Sequence, residues 1–130
     1  MVMYFKNETA LDYFLKNGKI YTLRKHRRKK TGKDWITLGK LAPDDDPPVR
    51  EKIADVIIRE IGLADLTIKK VATIDGDLFN LEDFAKESGF YDVDYWIEVY
   101  RHFAGKRSTQ AWLYEVTLLK IYGLPEEADA

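Results

Sequence analysis

GKIYTLRKHRRKKTG, residues 18–32, is the stretch on which the reading of the chain turns. From Lys19 to Arg24 the side chains alternate, with Ile20, Thr22 and Arg24 on one side and Tyr21 and Leu23 on the other. The β-branched and aromatic residues among them favour a strand. A dense cationic cluster follows: Arg24, Lys25, Arg27, Arg28, Lys29, Lys30 and Lys33. Trp35 to Leu38 resumes an extended pattern, so the spacing predicts a hairpin over 19–38 with a basic loop, 25–34, at its tip. Ten of the 21 Lys and Arg residues lie between Lys16 and Lys40, against one of the 22 acids, Asp34. The net charge of −1 therefore hides a strongly basic segment in an acidic chain.

Upstream, Met3 to Lys6 reads as a short strand. Asn7 is placed to cap a helix with Glu8 in its first turn; Ala10, Leu11, Phe14 and Leu15 follow at helical spacing, and Asn17-Gly18 ends it. Downstream, APDDDPPV at 42–49 carries three prolines and three adjacent aspartates, which suit a surface loop. Ile53 to Ile61 is apolar and β-branched and predicts a strand, with Gly62 to Leu66 a turn or bulge and Thr67 to Ile74 a second extended run. One long bent strand and two strands fit 53–74 equally. Asp75-Gly76-Asp77 is a turn. Two helices are expected next, one capped by Asn80 and ending near Gly89, the other starting at Asp92 or Asp94. On the second, Tyr95, Trp96, Val99, Tyr100 and Phe103 make one wide apolar face. Gln110 to Tyr122 alternates as a long strand, and the tail, 124–130, is expected to fray.

With 130 residues the chain is read as a single domain, 1–130, large enough for one core. Absence of cysteine excludes disulfides and thiolate metal sites and is compatible with a reducing, cytoplasmic setting. The apolar run in MVMYFKNE is too short for a signal peptide, and no stretch reaches the ~20 apolar residues of a membrane helix. No membrane partner is expected. The two histidines, His26 and His102, have no companion at metal-ligand spacing, and Asp44 to Asp46 lacks the spacing of a calcium loop. P-loop, nucleophile-elbow and dinucleotide-binding glycine patterns are missing, so neither a metal nor a cofactor is expected. The order of elements has no regular βαβ alternation, which points to an α+β fold: a small mixed sheet closed into a barrel, with flanking helices.

Asn17, Gly18, Lys19, Thr22 and Arg24, with the later stretch AKESGFYDVDYWIEVYRHF, resemble the ASCH domain of the PUA-like superfamily. Glu87, Gly89-Phe90 and Trp96 stand where that pattern has an acid, a Gly-Phe pair and an aromatic residue on a helix. The resemblance spans roughly residues 3–121 and implies a PUA-like β-barrel that binds RNA or a nucleotide-like ligand. It places Lys19, Thr22 and Arg24 in a cleft between barrel and helices. Departures are visible: Lys19 follows the glycine directly, Thr22 stands at a glutamate position, and Ser88 separates Glu87 from Gly89. Some members resemble amidohydrolases acting on an acylated cytidine. For that activity Lys19 and Glu87 would be the catalytic pair, but the neighbouring threonine is replaced by Ile20, which cannot be a nucleophile.

The residues thus offer a candidate ligand or nucleic-acid site of Lys19, Tyr21, Thr22, Arg24, Lys25, Arg27, Arg28, Lys29, Lys30 and Lys33. Clustered Lys and Arg suit phosphate contact, with Arg24 able to fork onto a phosphate or carboxylate. Tyr21, Trp35, Tyr91, Tyr95 and Trp96 could stack a base or belong to the core. The basic loop could instead be neutralised by the acidic body, Asp44 to Asp46 included, and Arg24 could pair with Glu87 to hold the fold. Three functions stand: an RNA- or nucleotide-binding domain, an amidohydrolase on an acylated nucleoside, and a module whose basic tip docks an acidic protein partner.

Overall fold

The computed structural model describes residues 3–5, 7–38 and 52–122. The expected loop at 42–49 and the tail at 124–130 lie outside the described residues. In chain order the elements are β1 (Met3–Phe5), α1 (Glu8–Asn17), β2 (Lys19–Arg24), β3 (Gly32–Leu38), β4 (Ala54–Asp65), β5 (Lys70–Thr73), β6 (Leu78–Asn80), α2 (Glu82–Ala85), α3 (Val93–Ala104) and β7 (Gln110–Ile121).

Strand β4 organises the sheet. It pairs antiparallel with β7 from Ala54↔Ile121 to Asp65↔Gln110. Its other edge is shared, β3 taking Ala54 to Ile58 and β5 taking Gly62 to Asp65. β1 joins β3 in parallel, β6 joins β5, and β2 joins the far side of β7. Register shifts interrupt the β4–β7 ladder between Asp55 and Val56 and between Glu60 and Gly62. Such bulges bend and twist a strand, and here they curl the sheet. The result is a mixed α+β fold with an open half-barrel flanked by helices. Residues 53–74 thus form one long bulged strand, a turn at 66–69 and a short second strand.

Two expectations are corrected here. β2 and β3 do not form a hairpin, because β7 and β4 lie between them in the sheet. β2 finds its alternating partner in β7, far away in sequence, and residues 25–31 cross the end of the sheet instead of making a tip. Nor is the barrel closed: no ladder joins β2 to β1 among the described residues. The connection between them, α1, covers the gap. Asn7 caps α1 by accepting the N–H of Ala10 at 3.0 Å, and Gly18 ends it at φ 78°, a left-handed conformation that glycine adopts without a Cβ clash. Leu11 and Phe14 are buried under the sheet, with Phe14 stacked on Phe5 at 5.8 Å between ring centres.

Both faces of the sheet are packed. Ile20, Ile36, Val56, Ile58, Tyr114 and Val116 meet β1 and α1 on one side. Leu23, Ile61, Ala64, Val71, Ala111 and Leu113 meet α2 and α3 on the other. The expected apolar face of α3 is shifted: Trp96, Ile97 and Tyr100 are buried, whereas Tyr95 and Phe103 are half exposed. Asp92 caps α3 through the N–H groups of Asp94 and Tyr95. Asn80 does not cap α2; it is the last residue of β6, and Leu81 precedes the short helix with no side-chain cap bond.

At Gly62 β4 and β5 approach so closely that an added Cβ would overlap the carbonyl of Ala72. Because that obstacle is backbone, Gly62→Ala is expected to lower stability by about 1–3 kcal/mol. Urea denaturation followed by tryptophan fluorescence measures this; an unchanged midpoint would show that the two strands can part at no cost.

Candidate functional site

The register of β2 decides which of its backbone groups are available. Gly18 C=O accepts the N–H of Leu118 at 2.8 Å, so Gly18, Ile20, Thr22 and Arg24 turn their main-chain groups toward β7. Tyr21 turns away and donates its N–H to Glu87 C=O at 2.9 Å. The open edge of β2 therefore faces the helices. Between that edge, the start of α1 and the length of α3 lies a cleft of about 450 Å³.

One side of the cleft is polar and cationic, lined by Thr22, Arg24, Lys25, His26 and Arg28. The opposite side is aromatic, lined by Phe90 with Trp96, Tyr100 and Phe103 of α3. Phe5, Asn7 and Ser88 also line it, and no carboxylate is among the described lining residues. Arg24 lies over the Phe5 ring at 5.3 Å. Burial, reinforced by the positive charge of Arg28, pulls the Arg24 guanidinium down to about 10. The Thr22 hydroxyl is buried and has no hydrogen-bond partner among the described residues, an arrangement that ordinarily costs about 1–3 kcal/mol.

The basic loop separates into two sets. Arg27 forks onto Glu60 at 2.8 and 2.9 Å and lies over the Trp112 ring at 4.7 Å. Arg28 pairs with Asp34 at 2.6 Å, both side chains about one-tenth exposed, and its N–H donates to the Tyr114 hydroxyl at 2.6 Å. These contacts pin the loop across the sheet end. Lys25, Lys29, Lys30 and Lys33 remain exposed. Neutralisation of the loop by nearby acids thus holds for two arginines, through Glu60 and Asp34; Asp44 to Asp46 lie outside the described residues.

Lys19 and Glu87 do meet, at 3.4 Å, but neither lines the cleft. Lys19 also lies 5.3 Å from the Tyr21 ring centre. Burial works against its charge, and the neighbouring Tyr21 and Glu87 outweigh that and raise its pKa. The Tyr21 hydroxyl donates to Glu115 at 3.0 Å, and Arg59 reaches the same carboxylate at 3.0 Å. The Arg59 hydrogen bond, helped by Tyr21, holds Glu115 below the ordinary glutamate value. Tyr21 lines the cleft but its hydroxyl is committed to this outer network.

Of the residues expected from sequence, the fold brings Tyr21, Thr22, Arg24, Lys25 and Arg28 together and leaves Lys19, Arg27, Lys29, Lys30 and Lys33 outside. Trp96 lines the cleft, while Trp35 sits near Lys52, 5.6 Å from its ring centre. The sequence reading missed His26, Phe90, Tyr100 and Phe103 as site residues. The excess of aromatic side chains on α3, wider than one core face needs, was the signal. A second hollow, about 630 Å³, lies between α3 and the β4–β5 turn; Lys69, Arg101 and Lys106 share it with Asp94 and Glu98, and Lys69 pairs with Asp94 at 2.5 Å. Among the described residues no group of three His, Asp or Glu side chains is placed to hold a metal ion, and no helix is long and apolar enough to cross a membrane.

Asp34→Ala removes the short ion-pair contact to Arg28 in a nearly dry site and is expected to cost about 3 kcal/mol, whereas Arg27→Ala, an exposed partner, costs about 1 kcal/mol or less by denaturant melts. Equal losses would mean that the loop is not anchored through Arg28. Glu115 carries a separate pH signature. Its folded value lies below the unfolded one, so its contribution is present above roughly pH 4.3 and is lost as pH falls through the folded value. Thermal melts at stepped pH should therefore show the native chain losing this part of its stability on acidification, with Glu115→Gln removing that part of the acid slope.

No family model matches the chain, and no curated protein and no solved structure matches it.

Proposed function

We propose that the chain is an ASCH-type domain of PUA-like architecture whose cleft binds RNA or a nucleotide-like anion. The observation that carries this reading is the pairing of opposite walls: Arg24, Lys25, His26 and Arg28 face Phe90, Trp96, Tyr100 and Phe103 with no lining carboxylate among the described residues. A phosphate suits the first wall and the flat face of a base suits the second. The buried Thr22 hydroxyl supplies a hydrogen-bonding group that the protein itself leaves unused among the described residues. Supporting the family reading, α1 ends at Gly18, β2 ends at Arg24, and Phe90 and Trp96 line the cleft. The exposed Lys25, Lys29 and Lys30 lie on the loop that enters the cleft wall, where they can meet a phosphate backbone.

The amidohydrolase reading draws on the Lys19–Glu87 ion pair. Neither group lines the cleft, so the pair would need a substrate bound at the outer network. Release of the acyl group from an acylated nucleoside, abolished by Lys19→Ala, is the outcome that would favour it.

Fluorescence anisotropy with labelled RNA of mixed sequence tests the binding reading. Affinity should fall steeply with added salt, because phosphate contacts release counterions. Thr22→Val should keep or slightly raise stability, since it removes a hydroxyl without a partner, yet weaken binding about 5-fold, the worth of one hydrogen bond near 1 kcal/mol. Arg24→Gln should weaken it about 10- to 100-fold, as a charged hydrogen bond is worth about 1.5–3 kcal/mol. Binding that ignores both substitutions, or no binding at low salt, would remove the cleft from consideration.

A further inference from the structure

Two exposed aromatic residues adjoin Phe90 of the cleft, and one of them, Tyr95, also borders the second hollow. Phe103 lines the cleft and is still half exposed. Phe90, deeper in the same wall, stands edge-on to Tyr95 at 5.7 Å between ring centres, and Tyr95 is 53% exposed. The residue after Phe90 is Tyr91, 73% exposed, its ring edge-on to Tyr13 at 6.5 Å. Tyr91 has φ 63°, a left-handed conformation uncommon for a bulky residue. Its neighbours enforce that turn: Gly89 has φ 92°, and Asp92 N–H bonds back to Phe90 C=O before capping α3. The chain thus holds an aromatic side chain out in solvent, in a backbone conformation that small residues accept more readily. Apolar packing accounts for neither ring, since more than half of each residue remains in water.

We propose that the cleft takes one unit of a single-stranded nucleic acid and that neighbouring bases of the same strand stack on Tyr95 and Tyr91. This rests on the reading of the cleft as a nucleotide site and chooses the strand over the free nucleotide. Two observations converge on it. Tyr95 touches, and Tyr91 directly follows, Phe90 of the wall assigned to the base, and Lys25 of the wall assigned to the phosphate is exposed, with Lys29 and Lys30 exposed further along the same loop. A strand leaving the cleft therefore meets aromatic faces on one side and ammonium groups on the other, the pairing that single strands require. A duplex offers no unstacked bases to these rings.

The test compares three probes on the full chain: nucleoside 5′-monophosphates, short single-stranded RNA of mixed sequence, and the same RNA as a duplex. The variants are Tyr91→Asn, chosen because asparagine tolerates the left-handed conformation, Tyr95→Ala, and both together, each checked by thermal melting. The single strand should bind more tightly than the monophosphates and the duplex. Each substitution should weaken the single strand about 5- to 100-fold, the equivalent of ~1–3 kcal/mol per stacked base, and leave monophosphate binding unchanged. If monophosphates bind as tightly as the strand, or the variants bind the strand as the native chain does, the proposal is overturned while the nucleotide cleft stands. Equal binding of the duplex overturns it too. If no probe binds, or all bind and Arg24→Gln changes none of them, the cleft reading itself fails and takes the proposal with it.

Discussion

Among the described residues β2 pairs with another strand along one edge only, with β7, and the rest of the molecule is arranged around that fact. A free strand edge invites association with other chains unless something covers it. Here α1 covers the gap between β1 and β2, Glu87 accepts the N–H of Tyr21, and α3 stands off the remainder. The space left between α3 and the uncovered part of the edge is the cleft. Had the sheet closed by pairing β2 with β1, backbone would have filled that space.

The β4–β7 ladder makes the opening possible. Two register shifts bend the long pair, and Gly62 lets β5 come close behind it. The basic crossing between β2 and β3 then has to run over the sheet end. Two of its arginines anchor it there, Arg27 on Glu60 and Arg28 on Asp34, with Tyr114 holding the backbone of the crossing from beneath. The lysines, whose compact charge is better kept hydrated, stay outside. The division of labour between the two residue types follows from their chemistry, since the planar guanidinium can fork onto a carboxylate in a drying site and the ammonium cannot.

Much of the local structure was legible in the chain. The Asn7 cap, the Gly18 stop, the Asp92 start and the long alternating strand at the C-terminal end are set by interactions within a few residues, so short-range pattern suffices. The hairpin over 19–38 does not form because alternation shows that a strand exists and not which strand it joins; β7 is nearly the whole chain away. Asn80 looks like a helix cap but ends a strand, because the same side chain suits either place. The buried face of α3 differs from the expected one because an aromatic at helical spacing looks the same whether it fills a core or borders a cleft, as Phe103 and Tyr95 do. For the site, the cations are evident from sequence as a group but not sorted, because the sorting depends on Glu60, Asp34 and Glu115, carboxylates on other strands.

By itself the amino-acid sequence determined the kinds of elements, most of their caps and their order, the exclusion of disulfides and thiolate metal sites, and the concentration of positive charge around β2. These are properties of composition and of neighbours along the chain. Only the tertiary structure decided that β2 pairs with β7, that the sheet stays open, and that Thr22 and Arg24 end up across from Phe90 and Tyr100 while Lys19 turns to Glu87. Strand pairing brings together residues that no local rule connects. A side chain's direction at such an edge is set by the register of the ladder, since a shift of one residue would send each to the opposite face.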